Sequence, residues 1–436
     1  MLTVHVVRAE GVGYHLTGLA PGRQPVAGES PGRWEGRGSA VLGLRGEVAA
    51  PELAGVLAGT DPVDGRALRG RHGVRQVCGF DLVFAAPKEV SVLHLLAPRE
   101  LGAAAGAAHV AAVADAVGYL EREGLGVRRS RDGVVSHLAT TGAVAAGFVH
   151  RTSRALDPHL HSHVVTANVA QGVDGRWSAL DSRRLFLHRD ATRAVYESSL
   201  RHHLDRSTGL VWRRAPGGWE APGVDPVTCR VFSARAASID EAAFRATGGR
   251  GSSSARRVAF FADRPAKDRA VTMGELRDRW ARRAAVVGVD LSQLVRVVGP
   301  PAREGARHPG AGHVEEALDR ALAGRTQVDA RDLVAVVADA VPHGLVAADT
   351  VRVVDALARA TGAGRGEPVS GRGPLAVDAV RGALRGDPDL VQRTLGGAAR
   401  EGAAPSASAS RVASRDRRAA DHRLVVGGTG PAGLTR

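Results

Sequence analysis

Apolar residues in the first half of the chain change repeatedly between a period of two and a helical period. Alternation at residues 1–7 and 79–85 predicts β-strands. An Ala-rich stretch at 98–123 has helical spacing, and Gly124 suits the end of that helix. Further elements are predicted as strands at 126–128, 134–141, 142–150 and 160–169, a hairpin turn at 173–177 and a helix at 188–206. Many strands with added helices predict an α+β fold.

The pattern changes in the second half, where short amphipathic helices replace the strands. These helices are predicted at 273–286, 314–322, 330–340 and 350–360. Residues 403–410 read Ala-Ala-Pro-Ser-Ala-Ser-Ala-Ser, a low-complexity composition that is typical of disorder. The chain is therefore predicted to divide into a domain at 1–295, a small helical region at 312–360 and a disordered tail at 361–436.

Histidines recur at a spacing that suits a metal site. His161 and His163 alternate, so both point to one face of a strand, roughly 7 Å apart. His150 joins them if 142–150 forms the neighbouring antiparallel strand, with Asp157 at the turn. Three neutral imidazoles bind a metal and leave positions open for substrate. His159 shares that face, however, and a solvated His-rich strand would explain the same spacing.

Composition limits the class of protein. The 436 residues are 44% hydrophobic, which is enough for a substantial core. Cys78 and Cys229 are the only cysteines, which excludes a disulfide framework and a cysteine zinc ribbon and suits a cytoplasmic location. We found no apolar run near the ~18 residues of a membrane span, so no membrane insertion is expected. The N-terminal residues resemble a first strand, not a signal peptide.

The chain is strongly basic. Its formal net charge is +14, which favours a polyanionic partner such as nucleic acid. Lys88 and Lys267 are the only lysines, so arginine carries nearly all the positive charge. Because a GC-rich genome produces the same excess of Arg, Ala and Gly, the charge supports a nucleic-acid partner without establishing it.

Two blocks resemble one known family. Residues 79–92 read Gly-Phe-Asp-Leu-Val-Phe-Ala-Ala-Pro-Lys-Glu-Val-Ser-Val and resemble a block of the TrwC-type (MobF) conjugative relaxases. Residues 150–168 resemble the three-histidine motif of that family, and shorter stretches at 31–34, 42–44 and 175–180 are also similar. The resemblance extends over roughly residues 1–290, and the two long blocks occur in the family's order and spacing.

The resemblance implies a single-strand DNA endonuclease of the HUH type. Such enzymes nick one strand at a transfer origin through a tyrosine that stays joined to the 5′ phosphate. The implied fold is an antiparallel β-sheet palm with flanking helices and with the histidines on a central strand. The implied cofactor is a divalent ion, Mg²⁺ or Mn²⁺, with Zn²⁺ as the alternative. The implied partners are single-stranded DNA and a helicase or coupling protein acting in trans.

Individual residues match the family's functional positions. His150, His161 and His163 match its metal ligands, whereas His159 matches none. Tyr14 lies where the family has its first catalytic tyrosine, and a packing aromatic is its alternative. Asp81 matches an acid that takes the tyrosine proton or orients a ligand histidine, and an ion pair at a strand edge is its alternative.

The other candidates rest on residue type. Lys88 and Arg154 are predicted to contact DNA, with a solvated loop charge as the alternative for Lys88. Trp34 and Trp177 are candidates for base stacking. Tyr119 and the other remaining tyrosine, Tyr196, fall within predicted helices and are expected in the core or on a helix surface.

The chain departs from the family in two places. Many relatives carry paired tyrosines, but here His15 follows Tyr14 and residues 22–26 contain no tyrosine. A second copy of the chain could supply the missing nucleophile. Residues 312–360 resemble the start of the family's helicase part. Residues 425–433 faintly resemble the approach to a phosphate loop, but the GxxxxGK[ST] pattern is absent, so no ATPase activity is expected.

Three other functions remain open from the sequence. A rolling-circle replication initiator or transposase-like HUH nuclease shares the chemistry and differs in its DNA target. A catalytically decayed protein could keep the fold and bind DNA without cutting it. A three-histidine zinc hydrolase of small molecules is a further alternative, against which the Asp81 block and the basic charge count.

Overall fold

The computed structural model describes most of the chain. It covers residues 1–16, 29–70, 76–221, 223–247, 255–256, 258–259, 271–299, 311–362 and 373–400. The strands are β1 (Leu2–Arg8), β2 (Arg33–Glu35), β3 (Val77–Ala85), β4 (Val127–Arg131), β5 (Val134–Leu138), β6 (Ala145–Thr152), β7 (Pro158–Ala167), β8 (Ala170–Gln171), β9 (Trp177–Ser178), β10 (Arg213–Ala215), β11 (Gly218–Glu220), β12 (Gln327–Val328) and β13 (Leu375–Ala376).

Helices separate and follow these strands. The first nine are α1 (Ala9–Leu16), α2 (Arg37–Val41), α3 (Ala50–Ala58), α4 (Lys88–Leu96), α5 (Arg99–Tyr119), α6 (Ser182–Leu187), α7 (Arg189–Thr208), α8 (Pro226–Val231) and α9 (Ala234–Thr247). The later ones are α10 (Met273–Val286), α11 (Ala311–Ala321), α12 (Ala330–Ala340), α13 (Ala347–Ala360), α14 (Val377–Gly386) and α15 (Leu390–Arg400). A π-helical turn at Leu120–Gly124 continues α5, and a 3₁₀ helix covers Leu291–Val297.

Five strands form one antiparallel sheet in the order β1-β3-β7-β6-β2. The central strand, β7, pairs with β3 on one side and with β6 on the other. The predicted α+β class and antiparallel sheet are confirmed. The predicted Asp-Gly turn is also present, because Asp174 and Gly175 connect the paired strands β8 and β9.

The two faces of the sheet bury different sets of side chains. One face carries Phe80, Leu82, Phe84, Leu160 and Val164 into a large apolar cluster. The helices α4, α5 and α7 cover this face, and the small side chains of Ala-rich α5 let it pack closely on α7. The other face carries a smaller cluster that includes buried residues of α3. Because successive side chains of a strand alternate, β7 contributes to both clusters.

The segment Arg99–Gly124 corrects one expectation. It is long and apolar enough to cross a membrane by length and composition, although no apolar run near ~18 residues is expected from the sequence. Its position explains the composition, because α5 packs against α7 and buries Ala112, Val113 and Tyr119 in the large cluster. A helix surrounded by protein on several sides needs apolar residues around most of its circumference.

The helices after residue 311 share the core of the sheet domain. Leu333 and Val337 of α12 belong to the same apolar cluster as Leu200 and Leu204 of α7. Polar contacts join the same elements, since Arg201 donates to the carbonyl oxygen of Ala338 over 2.9 Å. The boundary predicted between residues 295 and 312 therefore does not separate two hydrophobic cores.

The prediction of a disordered tail over 361–436 is wrong for residues 373–400. Leu375 of β13 pairs with Val328 of β12, and the helices α14 and α15 follow. Val377, Val380 and Leu384 are buried, a spacing that places them on one face of α14. Because many Gly and Arg residues surround these three positions, the sequence pattern did not reveal this short apolar face. Residues 401–436, which include the low-complexity stretch, lie outside the described residues.

Two glycines give a test of how the C-terminal helices dock. Gly344 and Gly324 both have positive φ, 73° and 74°. A Cβ atom on Gly344 would lie 1.9 Å from the carbonyl oxygen of Ser198 in α7, whereas a Cβ atom on Gly324 would meet nothing within 4 Å. We expect Gly324→Ala to lower the free energy of unfolding by about 1 kcal/mol through backbone strain alone. Gly344→Ala should cost clearly more. Urea unfolding followed by circular dichroism measures both, and equal losses would contradict this docking.

Candidate metal centre and nucleophile

Three histidine side chains converge on one face of the central sheet. The register of β6 and β7 sets His150 directly opposite His161, and His163 lies two residues farther along β7. The ring centroids are 5.2 Å apart for His150 and His161, 5.0 Å for His150 and His163, and 5.3 Å for His161 and His163. One nitrogen from each ring lies within 4.8 Å of the other two. The three rings can therefore bind a single ion.

Hydrogen bonds fix which nitrogen two of these rings present. His161 Nδ1 lies 2.9 Å from the carbonyl oxygen of His159, which can only accept, so Nδ1 carries the proton. His163 Nδ1 lies 2.9 and 3.0 Å from the two carboxylate oxygens of Asp81 and donates likewise. Both rings therefore keep a free lone pair on Nε2. This second hydrogen bond is the usual way in which proteins orient a metal-binding histidine.

Burial keeps His161 in the protonation state that a metal requires, and hydrogen bonding does the same for Asp81. Burial, and then the neighbouring imidazoles His159, His150 and His163, hold the pKa of His161 well below its usual range. Burial would raise the pKa of Asp81, but the hydrogen bond from His163 and the nearby imidazole charges hold it below the usual value. At neutral pH, His161 is therefore neutral and Asp81 is charged.

His159 takes no part in the cluster. Its ring stacks on His161 with centroids 4.5 Å apart, and no group of converging ligand atoms in the described residues includes it. Sequence spacing could not separate His159 from the other two histidines of β7. The position of His150 on the neighbouring strand makes the separation, since His150 faces His161 and not His159.

Tyr14 is the exposed tyrosine of the chain. The side chains of Tyr119 and Tyr196 are fully buried, whereas Tyr14 on α1 is 55% exposed and lines the same groove as the three histidines. Arg154 Nη2 donates to the Tyr14 hydroxyl over 3.4 Å, and the Tyr14 and His15 rings meet edge to face. This exposure does not fit a packing aromatic. Residues 22–26, where the sequence contains no second tyrosine, lie outside the described residues.

Lys88 has a structural role that the sequence did not indicate. Its Nζ donates to the carbonyl oxygens of Pro158 and Phe232, over 2.7 and 2.9 Å. These bonds tie the first turn of α4 to the start of β7 and to the end of α8. Burial lowers the pKa of Lys88. Since two of its three donors are used, a DNA contact is not needed to explain this lysine.

Both candidate stacking tryptophans pack against protein. Trp34 Nε1 donates to Glu52 over 3.0 Å, and the Trp34 and Trp177 side chains are partly buried against the smaller apolar cluster. Residue type alone had suggested base stacking. The structure gives both rings a packing role.

The histidines open into one large groove. Its volume is about 2080 Å³, and it runs from the cluster past Tyr14 and the edge strand β1 to α7, β10, β11, α11 and α12. The far part is lined by more cationic than anionic side chains: Arg193, Arg201, Arg214, Arg235 and Arg320 against Glu197 and Asp339. The sequence did not single out these arginines, because they come together from helices and a hairpin far apart in the chain.

Comparison with known proteins agrees with this geometry. The family model described as TrwC relaxase matches residues 9–287. The chain belongs to the TrwC relaxase family. Its similarity to the multifunctional conjugation protein TraI of Escherichia coli is 32% identity over 325 residues, which is 69% of this chain and 17% of that protein. A TraI protein of E. coli strain K12 is 34% identical over 232 residues, 50% of this chain and 12% of that one.

Solved relaxase structures share the fold. A conjugative relaxase TrwC bound to OriT DNA in metal-free form has a TM-score of 0.58 and 29% identity, over 66% of this chain and 100% of that one. TrwC with a 27-mer DNA that comprises the recognition hairpin and the cleavage site has a TM-score of 0.58 and 30% identity, over 67% of this chain and 100% of that one. A metal-bound complex of TrwC with OriT DNA has a TM-score of 0.59 and 29% identity, again over 67% of this chain and 100% of that one. The relaxase fold inferred from the two sequence blocks is confirmed.

Replacing Asp81 tests the orientation of His163. In Asp81→Asn the amide oxygen can still accept from Nδ1 but the charge is lost, so we expect Co²⁺ to bind about tenfold more weakly. Asp81→Ala should weaken binding further, toward about 100-fold. Calorimetric titration with Co²⁺ measures both affinities.

The matched control is Asp174→Asn, which removes a carboxylate paired with Arg129 in the β8–β9 turn. It should leave Co²⁺ affinity unchanged. Equal Co²⁺ affinities for the unsubstituted chain and Asp81→Ala would show that Asp81 does not support a metal ligand.

Proposed function

We propose that this chain is a site- and strand-specific single-strand DNA endonuclease and transesterase, a relaxase that nicks a transfer origin for conjugative DNA transfer. The observation that carries the proposal is the position of Tyr14. It is the one tyrosine of the chain with an exposed side chain, and it lines the same groove as three converging histidines. A nucleophile and a site for an electrophilic ion, both open to a long groove, suit phosphodiester transfer.

In the proposed reaction the Tyr14 oxygen attacks the phosphorus of one phosphodiester. The Tyr14 hydroxyl gives up its proton as a bond forms between its oxygen and phosphorus. The bond to the 3′ oxygen breaks and the 3′ oxygen takes up a proton, so that overall one proton passes from the phenol to the leaving oxygen. The product is a 5′-phosphotyrosyl intermediate with a free 3′ hydroxyl, and the reverse reaction rejoins the strand. Arg154, which donates to the Tyr14 hydroxyl, would stabilise negative charge on the attacking oxygen.

A divalent ion held by His150, His161 and His163 would neutralise charge on the phosphate oxygens. We assign Asp81 to orienting His163, since its carboxylate receives the Nδ1 hydrogen bond. Three nitrogen ligands suit transition ions such as Mn²⁺ or Zn²⁺ better than Mg²⁺, which prefers oxygen ligands. Metal-bound and copper-bound structures of the relative TrwC are consistent with this preference.

Single-stranded DNA is the proposed occupant of the groove. Phosphates would follow the excess of arginine toward α11 and α12, so binding should weaken with salt as counterions are released. TrwC structures contain OriT DNA, which supports the same partner here. We further propose a cytoplasmic protein that works with a helicase or coupling protein supplied in trans. Arg154 is a candidate DNA contact, and Lys88 is a weaker one.

We also propose that these 436 residues hydrolyse no ATP. The chain spans about 17% of the TraI relative, which is described as multifunctional. The stretch at 425–433 lies outside the described residues, and Leu434, which follows it, stands where the GxxxxGK[ST] pattern requires the Lys that binds the β and γ phosphates. Turnover of ATP by the purified chain, stimulated by single-stranded DNA, would contradict this proposal.

The nicking reaction can be tested by trapping the covalent intermediate. We expect the protein, incubated with end-labelled single-stranded DNA pools and Mn²⁺, to form a DNA adduct that survives a denaturing gel. Tyr14→Phe should abolish the adduct, because only the attacking oxygen is lost. A chelator should abolish it as well.

Tyr119→Phe is the matched control, since it removes a buried hydroxyl that contacts His188. It should keep the adduct. An adduct that persists in Tyr14→Phe would exclude Tyr14 as nucleophile, and DNA binding without any adduct would favour a decayed DNA-binding protein. The sequence of the adducted DNA separates a transfer origin from a replication origin.

A further inference from the structure

A buried polar network lies directly behind the three histidines, on the opposite face of the sheet. His109 of α5 contacts two hydroxyl groups at once: Nε2 lies 2.8 Å from Ser162 Oγ of β7, and Nδ1 lies 2.8 Å from Tyr196 Oη of α7. His109 and Tyr196 are 0% exposed, and Ser162 is 3% exposed. None of the three touches the groove.

Ser162 is the residue between two of the converging histidines. Since strand side chains alternate, Ser162 points to the helical face while His161 and His163 point to the groove. In the ladder Ser162 pairs with Phe84 of β3 and Val149 of β6, both apolar. Phe84 also lies against Tyr196, with ring centroids 5.3 Å apart. The hydroxyl of Ser162 is thus a polar group in an apolar layer, with His109 as its hydrogen-bond partner.

Stability alone does not explain this arrangement. Burial, with nearby cationic groups, lowers the pKa of His109 to about 3, so the ring is neutral and contributes no ion pair. Polar groups that are buried cost free energy unless each is paired, whereas apolar side chains of similar size would pack here without that requirement. A satisfied buried network instead selects one arrangement among its alternatives.

We propose that His109, Ser162 and Tyr196 are positioning residues that lock the register of β7, and through it the places of His161 and His163. A slip of β7 by one residue would turn both histidines into the helical core. A slip by two would bring Leu160 or Val164 under His109, and neither can form a hydrogen bond. Only the observed register satisfies the network and also sets His161 opposite His150.

This inference rests on the proposed function, in which those histidines hold a divalent ion. It assigns the network a measurable role, which is to keep the metal ligands preorganised before the ion binds. Asp81 orients one ring from the groove side through β3, and the network fixes the strand from the opposite side.

The test compares metal affinity with stability. In the triple variant His109→Leu/Ser162→Ala/Tyr196→Phe every polar group of the network is gone, so none is left unpaired. We expect its metal-free thermal midpoint to be equal or higher, and its Co²⁺ affinity to be lower by about tenfold or more. Co²⁺ titration followed by visible absorption gives the affinity and reports the coordination geometry in the same experiment.

Two single variants of Ser162 still test the proposal if the triple variant fails to fold. Ser162→Thr keeps the hydroxyl and should bind Co²⁺ as tightly as the unsubstituted chain. Ser162→Ala removes the hydroxyl and should bind Co²⁺ more weakly. The matched control is Tyr119→Phe/His188→Leu, which removes another buried tyrosine–histidine hydrogen bond, 3.0 Å long, whose two partners both lie outside β7. Its Co²⁺ affinity should equal that of the unsubstituted chain.

The outcomes separate this inference from the proposed function. Unchanged Co²⁺ affinity and spectrum in the triple variant and in Ser162→Ala would overturn the positioning role and leave the proposed relaxase intact. Equal losses in the Tyr119→Phe/His188→Leu control would also overturn it, because the effect would then be general destabilisation. Failure of the unsubstituted chain to bind Co²⁺ would overturn the metal site and the inference together.

Discussion

The pairing of β6 with β7 is the constraint on which the rest of the site depends. Antiparallel pairing sets one residue of each strand opposite the other, and here it joins His150 to His161. The next inward-facing residue of β7, His163, completes the cluster. Any other register of β7 would separate these rings or turn two of them into the core, because strand side chains alternate between faces. The histidine motif of β7 thus becomes a site only because β7 is paired with β3 on one side and with β6 on the other.

The two faces of β7 meet opposite physical demands. The groove face must keep imidazole lone pairs available, so a carbonyl and the Asp81 carboxylate take the other ring nitrogens of His161 and His163. The helical face must exclude water, so α5 and α7 cover it with apolar and small side chains. Within this apolar layer, His109 and the hydroxyl groups of Ser162 and Tyr196 form a buried hydrogen-bonded network. The same strand therefore carries reactive groups and a packed core.

The C-terminal helices extend this architecture and do not stand apart from it. They share the large apolar cluster with α7, and α11 and α12 supply one wall of the groove that begins at the histidines. Gly344 lies so close to the Ser198 carbonyl oxygen that a side chain would not fit. This close docking places Arg320 on a surface continuous with the candidate site, although Tyr14 and Arg320 are separated by most of the chain.

The sequence by itself determined the α+β class, the family and the candidate chemistry, because alternation, helical spacing and two motif blocks are local properties. The spacing of the histidines could not separate His159 from His161, since both share one face of a strand. The family motif left His159 out, and the partner strand gives the physical reason. The sequence pattern also did not reveal the short apolar face of α14. The hydrogen bonds from Lys88 to two carbonyl oxygens could not be predicted from it either. The exposure of Tyr14, the burial of the other tyrosines and the arginine-lined groove were decided only by the tertiary structure. Exposure and convergence depend on contacts between residues far apart in the chain, and no local pattern encodes them.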